Sequence, residues 1–154
     1  MAAQLLPDPL TAALDALMLA LPDGMEVVVR RRTDADPVRL SARRVVDMLG
    51  VPRRLAGHRC MVEALCVLHA AAPERPKRET LYADVAARCL PGRATDAVES
   101  AIRVGIRAAA EARPEHVRTL LGVSSERPWG RSALSVLLCL LAMVQDDVAQ
   151  GGGR

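Results

Sequence analysis

Two helical patterns separated only by a Pro-Gly turn lie in the middle of this chain, within residues 80–110. The first covers residues 80–89 and the second residues 95–111, with Pro91 and Gly92 between them. Two helices joined by so short a turn are expected to pack against each other, as in a helix-turn-helix. In such a unit the second helix is free to enter the major groove of DNA. This stretch therefore supplies the leading hypothesis for both fold and function.

The second helix of the pair has one apolar side and one polar side. Its apolar positions recur every three or four residues, which predicts a buried stripe: Val98, Ala101, Ile102, Gly105, Ile106 and Ala109. At about 100° per residue, the positions pointing away from the core are then Asp96, Ser100, Arg103 and Arg107, with Ala97, Glu99 and Val104 at the flanks. We expect these seven positions to face DNA. Thr95 is the predicted N-cap, and Asp96 lies in the first turn, where the helix dipole favours negative charge.

The rest of the chain predicts an all-α domain of about six helices. Apolar residues make up 51% of its 154 residues, but aromatic residues only 1%, and Ala, Leu and Val suit helix packing. Helical patterns also cover residues 40–49, 55–72, 114–121 and 132–149. Ser41 stands near a predicted helix start, and Thr80 is available as an N-cap. The helix at 55–72 is expected to form the centre of the core. Residues expected to be buried outside the second helix of the pair are Val45, Val46, Leu49, Cys60, Met61, Ala64, Leu65, Leu68, Leu81, Val85 and Ala86.

The predicted domain, residues 38–150, lies between an N-terminal appendage at 1–37 and a disordered tail at 151–154. The appendage holds an apolar helix at 10–21 and the only β-branched run, at 25–32. That run is compatible with a strand, for which a second copy of the chain is one available partner. Its arginines, Arg30, Arg31 and Arg32, are either a phosphate-binding arm or the charged end of an edge strand.

Charge, cysteine usage and missing motifs narrow the function classes. The net charge of +3 permits contact with phosphate, and Lys77 is the only lysine. The four cysteines form no CxxC pair, which favours a reduced cytoplasm; the spacing of Cys60, Cys66 and His69 is a poor match for a metal site. His58, His69 and His116 lack an evident nucleophile partner, so we expect neither an enzyme nor a cofactor. No signal peptide is evident, and the apolar run at 133–144 is shorter than a bilayer requires. We expect no membrane association.

The order of four short motifs resembles a known family. They are Leu49-Gly50-Val51-Pro52, Leu81-Tyr82-Ala83-Asp84-Val85-Ala86, Val98-Glu99-Ser100-Ala101-Ile102-Arg103 and Leu120-Leu121-Gly122. Across residues 45–143 the chain is similar to the C-terminal DNA-binding effector domain of the sporulation response regulators of the stage-zero A type. The resemblance implies a helical domain that binds promoter double-stranded DNA as head-to-tail pairs and contacts the sigma factor of RNA polymerase. A homodimer is expected accordingly.

Two departures from the family carry consequences. Fewer than forty-five residues precede the match, too few for the receiver domain of the family, so we expect no control by aspartyl phosphorylation within this chain. The reading helix of the family resembles SRVERAIR, whereas this chain has Ala97 and Ser100 in place of two arginines. A bidentate arginine on guanine contributes about 1 to 3 kcal/mol of discrimination, which neither Ala nor Ser can supply. We therefore do not expect the target sequence of the family.

The candidate DNA-binding residues are Arg93, Thr95, Asp96, Glu99, Ser100, Arg103, Arg107, Arg127 and Arg131. Arg53, Arg54 and Arg59 are further candidates for phosphate contacts, with solubilising surface arginines as the alternative. Glu99 and Arg103 either meet bases or pair with each other on a solvated face. Tyr82 either meets a phosphate or packs at the core edge, and Trp129 is expected to pack. The alternative function is a diverged domain for protein contact or dimerisation, with little sequence-specific DNA binding.

Overall fold

A computed structural model of the chain describes residues 36–122 and 132–151, together with Ala16. The chain divides into two units, Met1–Thr33 and Asp34–Arg154, and the fold below belongs to the second. Its described part contains six α-helices and no strand. They are α1 (Pro37–Leu49), α2 (Ala56–Ala71), α3 (Arg78–Cys89), α4 (Thr95–Ala112), α5 (Pro114–Leu120) and α6 (Ala133–Gly151). The prediction of an all-α fold with about six helices is confirmed.

Several predictions fall outside the described residues. These are the helix at 10–21, the strand or arm at 25–32, the loop that carries Arg127, Trp129 and Arg131, and the last three residues of the tail. Gly151, which the sequence assigns to the tail, is instead the last residue of α6.

The start of α1 lies earlier than Ser41 indicates. Asp36 caps the helix, because its Oδ1 accepts a hydrogen bond from the Val38 N–H at 3.0 Å, and Pro37 occupies the first turn. Ser41 is 2% exposed and lies inside the helix. Gly50 ends α1 with a φ of +93°, a conformation that glycine adopts without steric cost. An aspartate followed by proline thus determines this boundary.

Thr80 and Thr95 are not the N-caps that the sequence predicts. Lys77 precedes α3, and Ala94, with an extended backbone, precedes α4; neither forms a side-chain cap. Thr95 is the first helical residue of α4. The turn between the two helices spans Leu90 to Arg93, because the Arg93 N–H donates to the Leu90 carbonyl at 3.0 Å and Gly92 has a φ of +78°. Only Ala94 then remains between the turn and α4.

The core is built around α2, which contacts α1, α3, α4 and α6. The eleven residues that the sequence predicts to be buried on helices other than α4 are all buried in the structure. On α4, five of the six residues of the predicted apolar stripe are buried, and Ala101 is half-buried. The helix that sequence analysis places at the centre of the core therefore lies there, and it supports both helices of the central pair.

The terminal helix α6 is longer than its apolar segment indicates. The helix has 19 residues, and its most apolar stretch of 18 residues has a mean hydropathy of 1.5. By length and composition alone it could therefore cross a membrane. The expectation that no segment reaches that length is therefore wrong. Its residues Val136, Leu137, Leu140 and Val144 are buried in the core. Since core helices of globular domains pass the same criterion, these properties do not assign the helix to a bilayer.

Two glycines allow α4 to approach α2 closely. A Cβ atom at Gly57 would overlap the backbone carbonyl oxygen of Ala101, and it would lie 3.0 Å from the carbonyl carbon of Ala101 and 3.3 Å from the Cα atom of Gly105. A Cβ atom at Gly105 would lie 3.0 Å from Val51 Cγ1. The two helix backbones are thus in near contact at this crossing. Gly57 has no room for a larger residue, and at Gly105 the Val51 side chain would have to shift to admit one.

Gly57→Ala is expected to destabilise the domain. The added methyl group meets backbone rather than a movable side chain, so α2 and α4 must separate, and overpacking of this kind costs about 3 kcal/mol. Gly151→Ala is the matched control, because nothing lies within 4 Å of that position and its φ is unstrained. The urea midpoint of unfolding, monitored by circular dichroism, is measured for both variants and the wild type. Equal midpoints for Gly57→Ala and the wild type would contradict the close approach.

Candidate nucleic-acid interface

The central pair of helices presents one side of α4 to solvent. α3 and α4 pack against each other and against α2, which buries the apolar stripes of both. The opposite side of α4 is exposed at the positions that the helical period predicts, namely Asp96, Ser100, Arg103 and Arg107, and also at Val104. Thr95 and Arg93 are exposed at its N-terminal end. The side chains proposed to face DNA are thus accessible along four turns of one helix.

Arg93 and Arg107 are free cations within the described part of the chain. Their side chains make no hydrogen bond or ion pair with any described residue. No described residue therefore occupies the donors of these two guanidinium groups. A guanidinium group presents five N–H donors in a planar fork that matches phosphate or the guanine edge.

Glu99 holds Arg103 in place. Arg103 Nη2 donates to Glu99 Oε1 at 2.6 Å, and Arg78 Nη1 of α3 lies 3.9 Å from Glu99 Oε2. The Glu99 side chain is only 16% exposed. The pairing that sequence analysis left open is thus present in the free protein. A cytosine amino group would have to displace an arginine to reach this carboxylate.

Tyr82 packs into the core edge beneath this ion cluster. The residue is 3% exposed, and its hydroxyl oxygen is buried with no hydrogen-bond partner among the described residues. Burial, and then the charge of Glu99, raise the pKa of the phenol. Of the two interpretations of Tyr82, packing is the observed one, since a buried hydroxyl cannot reach a phosphate without rearrangement.

A second carboxylate fixes α3 to the rest of the domain. Glu63 of α2 is buried and accepts two hydrogen bonds from the Arg39 guanidinium, one of them from Nη2 at 3.1 Å, and Arg88 Nη1 lies 3.5 Å away. Burial alone would raise the pKa of Glu63, but Arg39 and Arg88 outweigh it and lower that pKa. Arg59 Nη2 also donates to the Arg88 carbonyl at 3.1 Å. Sequence analysis missed Glu63, although a carboxylate inside an apolar helix pattern signals a buried ion pair.

The other basic candidates differ in their availability. Arg53 is bound to Asp47 through two hydrogen bonds, and His58 Nε2 lies 2.9 Å from Asp47 Oδ1. The hydrogen bond from Arg53 is the main reason that the pKa of Asp47 is lowered. Arg54 is exposed and makes no bond with a described residue, whereas Arg59 is engaged by the Arg88 carbonyl. Arg53 and Arg59 thus have structural contacts that the sequence did not reveal.

The cysteines and histidines of the described residues form no metal-binding group. Cys60 and Cys89 are free cysteines that lie buried beside each other between α2 and α3. The hydrogen bond with the Cys89 thiol, and then burial, raise the pKa of the Cys60 thiol. His58 and His69 both belong to α2, while His116 of α5 binds the Met48 carbonyl at 2.6 Å through Nε2.

Comparison with known proteins adds no relative: no family model, no curated protein and no solved structure matches this chain.

Acid is expected to weaken the attachment of α3 through Glu63. Because the pKa of Glu63 is lowered on folding from its ordinary value of 4.5, the carboxylate stabilises the fold fully above that value. This contribution is lost as the pH falls through the folded pKa. Glu63→Gln should therefore cost about 2 kcal/mol at pH 7, the usual value of charged hydrogen bonds, and progressively less towards pH 3. Urea unfolding at a series of pH values measures the difference; a cost that does not change with pH would contradict this account.

Proposed function

We propose that this protein is a DNA-binding transcriptional regulator in which α3 and α4 form a helix-turn-helix and α4 enters the major groove. The observation that supports this most is the outer face of α4, where Ser100, Arg103 and Arg107 are exposed above a buried apolar stripe. A rigid helix with accessible donors on one side is the element that helix-turn-helix proteins insert into the groove.

The exposed residues suit two kinds of contact. Arg93 lies in the turn at the start of α4, where a cation can meet the phosphate backbone and orient the helix without reading sequence. Arg107 lies on the outer face and makes no bond with a described residue, so it is suited to guanine or phosphate. Ser100 adds a hydroxyl that bonds either a donor or an acceptor on a base edge. Thr95 and Asp96 complete the proposed surface at its N-terminal end.

The electrostatic attraction of this surface is modest. Residues 80–110 contain four arginines and three carboxylates, and Glu99 already neutralises part of the charge of Arg103. We therefore propose that nonspecific attraction contributes little and that the direct contacts of α4 decide where the protein binds. Arg127 and Arg131, a homodimer, and a contact with sigma factor stay predictions based on the family resemblance.

The test is selection from a random duplex pool at low salt, followed by titration of the selected site. Arg107→Ala is expected to weaken binding and to reduce the slope of log K against log salt by about 0.9 if Arg107 meets a phosphate, or to relax the preference at one base pair if it meets guanine. Arg103→Ala should weaken binding as well. Arg44→Ala is the matched control, since Arg44 is an exposed arginine of α1 near Asp147 of α6. Failure to enrich any duplex would refute the proposal.

Glu99→Gln distinguishes the two roles of the carboxylate. If Glu99 only restrains Arg103, the variant frees that guanidinium, removes a negative charge and binds duplex DNA more tightly at every sequence. If Glu99 accepts a hydrogen bond from a cytosine amino group, the variant binds the selected site more weakly and loses a C·G preference at one position. We expect the first result, because the Arg103–Glu99 bond is already formed in the free protein.

The alternative, a module for protein contact or dimerisation, is the outcome if no DNA is bound. It requires self-association or a co-purifying partner through residues 10–32. Deletion of those residues would then change the mass measured by light scattering, and an unchanged mass would count against it.

A further inference from the structure

Val104 is the most exposed of the large apolar side chains in the described residues. It is 53% exposed, whereas Leu40 and Met48, both on α1, are 37% and 45% exposed. Single apolar side chains on a surface are common and have no meaning by themselves. Val104, however, stands on the outer face of α4, directly after Arg103 and three residues before Arg107.

The outer face of α4 has a charged edge and an apolar edge. Glu99 and Val104 lie about 140° apart around the helix axis at about 100° per residue. The Glu99 edge is occupied by the ion pairs with Arg103 and Arg78. The Val104 edge continues through the half-buried methyl groups of Ala97 and Ala108, which lie two turns before it and one turn after it. Val104 is therefore the most exposed residue of an apolar stripe that runs from Ala97 to Ala108 beside Arg107 and ends before the exposed Glu111.

Base edges in the major groove offer one kind of apolar group, the 5-methyl group of thymine. Facing Val104, a guanine or adenine N7 or a cytosine amino group would lose water without gaining a hydrogen bond. A thymine methyl group would instead bury apolar surface against the isopropyl group. An apolar stripe next to a hydrogen-bonding arginine thus suits a step in which thymine neighbours a pair read by that arginine.

We propose that Val104 contacts the 5-methyl group of a thymine and thereby selects a T·A pair at one position of the binding site. This inference rests on the proposed function and assigns to Val104 a part of its sequence preference. The contact would add a specificity determinant to a helix in which Ala97 and Ser100 offer no guanidinium group.

The experiment replaces each thymine of the selected duplex by deoxyuridine, which lacks only the methyl group. For the wild type, one or two of these replacements should weaken binding about fourfold, the factor that corresponds to one buried methyl group. Val104→Ala should bind the thymine duplex about as weakly as the wild type binds the deoxyuridine duplex, and it should no longer distinguish the two. Met48→Ala is the matched control, because it shortens an exposed apolar side chain on α1 and should keep the full thymine preference.

The outcomes separate this inference from the proposed function. If no duplex is selected at all, the proposed function fails. If DNA is bound but the wild type does not distinguish thymine from deoxyuridine, or if Val104→Ala still does, the methyl contact is wrong while the function stands. If Val104→Ala leaves DNA binding unchanged and alters the mass measured by light scattering, the apolar edge is a protein interface and the inference is overturned. Circular dichroism at each step checks that Val104→Ala remains folded.

Discussion

The crossing of α2 and α4 at Gly57 and Gly105 is the constraint on which the arrangement of the outer surface depends. Because neither residue has a side chain, the two backbones come into near contact, and the apolar stripe of α4 lies deep against the core. A helix held this firmly by one side must expose the other. The residues at 96, 100, 103 and 107 are therefore presented outward as a consequence of packing, and among them only Arg103 has a side-chain partner within the described residues, namely Glu99.

Two carboxylates organise much of the arginine-rich charge around this crossing. Glu63 holds Arg39 and lies near Arg88, which links α1, α2 and α3, and Glu99 holds Arg103 and lies near Arg78, which links α3 and α4. The first is buried, where breaking an ion pair leaves an uncompensated charge and is costly. The second involves an arginine that is largely exposed, where a pair contributes little net free energy. Arg103, whose side chain is 63% exposed, can therefore exchange its partner at lower cost than Arg39, whose side chain is 29% exposed.

The sequence predicts the helices and the core well and the polar contacts poorly. Apolar spacing depends only on the helical period, so residues such as Leu65, Ile102 and Leu49 are assigned correctly to the interior. Helix starts are harder to predict, because several residues near each start could act as the cap. The cap of α1 is Asp36, which precedes Ser41, and α4 begins after Ala94 without a side-chain cap. The partners of Arg53 and Glu63 depend on how separate helices meet, which no local pattern specifies. The family resemblance, the site and the function remain predictions for the same reason, since helical period alone does not determine what a surface binds.

If α4 reads DNA as proposed, it has few free cations and would have to obtain its selectivity from other contacts. On α4 the donors of Arg107 are free, those of Arg103 are partly occupied, and Ala97 and Ser100 offer no guanidinium group. Long-range attraction to phosphate would then be weak, and discrimination would rest on a few short-range contacts, each contributing about 1 to 3 kcal/mol. One such helix would discriminate only modestly among genomic sites, whereas two copies on adjacent sites would add their contacts with a high effective concentration. The paired binding that the family resemblance implies is thus also what the sparse charge of this surface would require of a DNA-binding regulator.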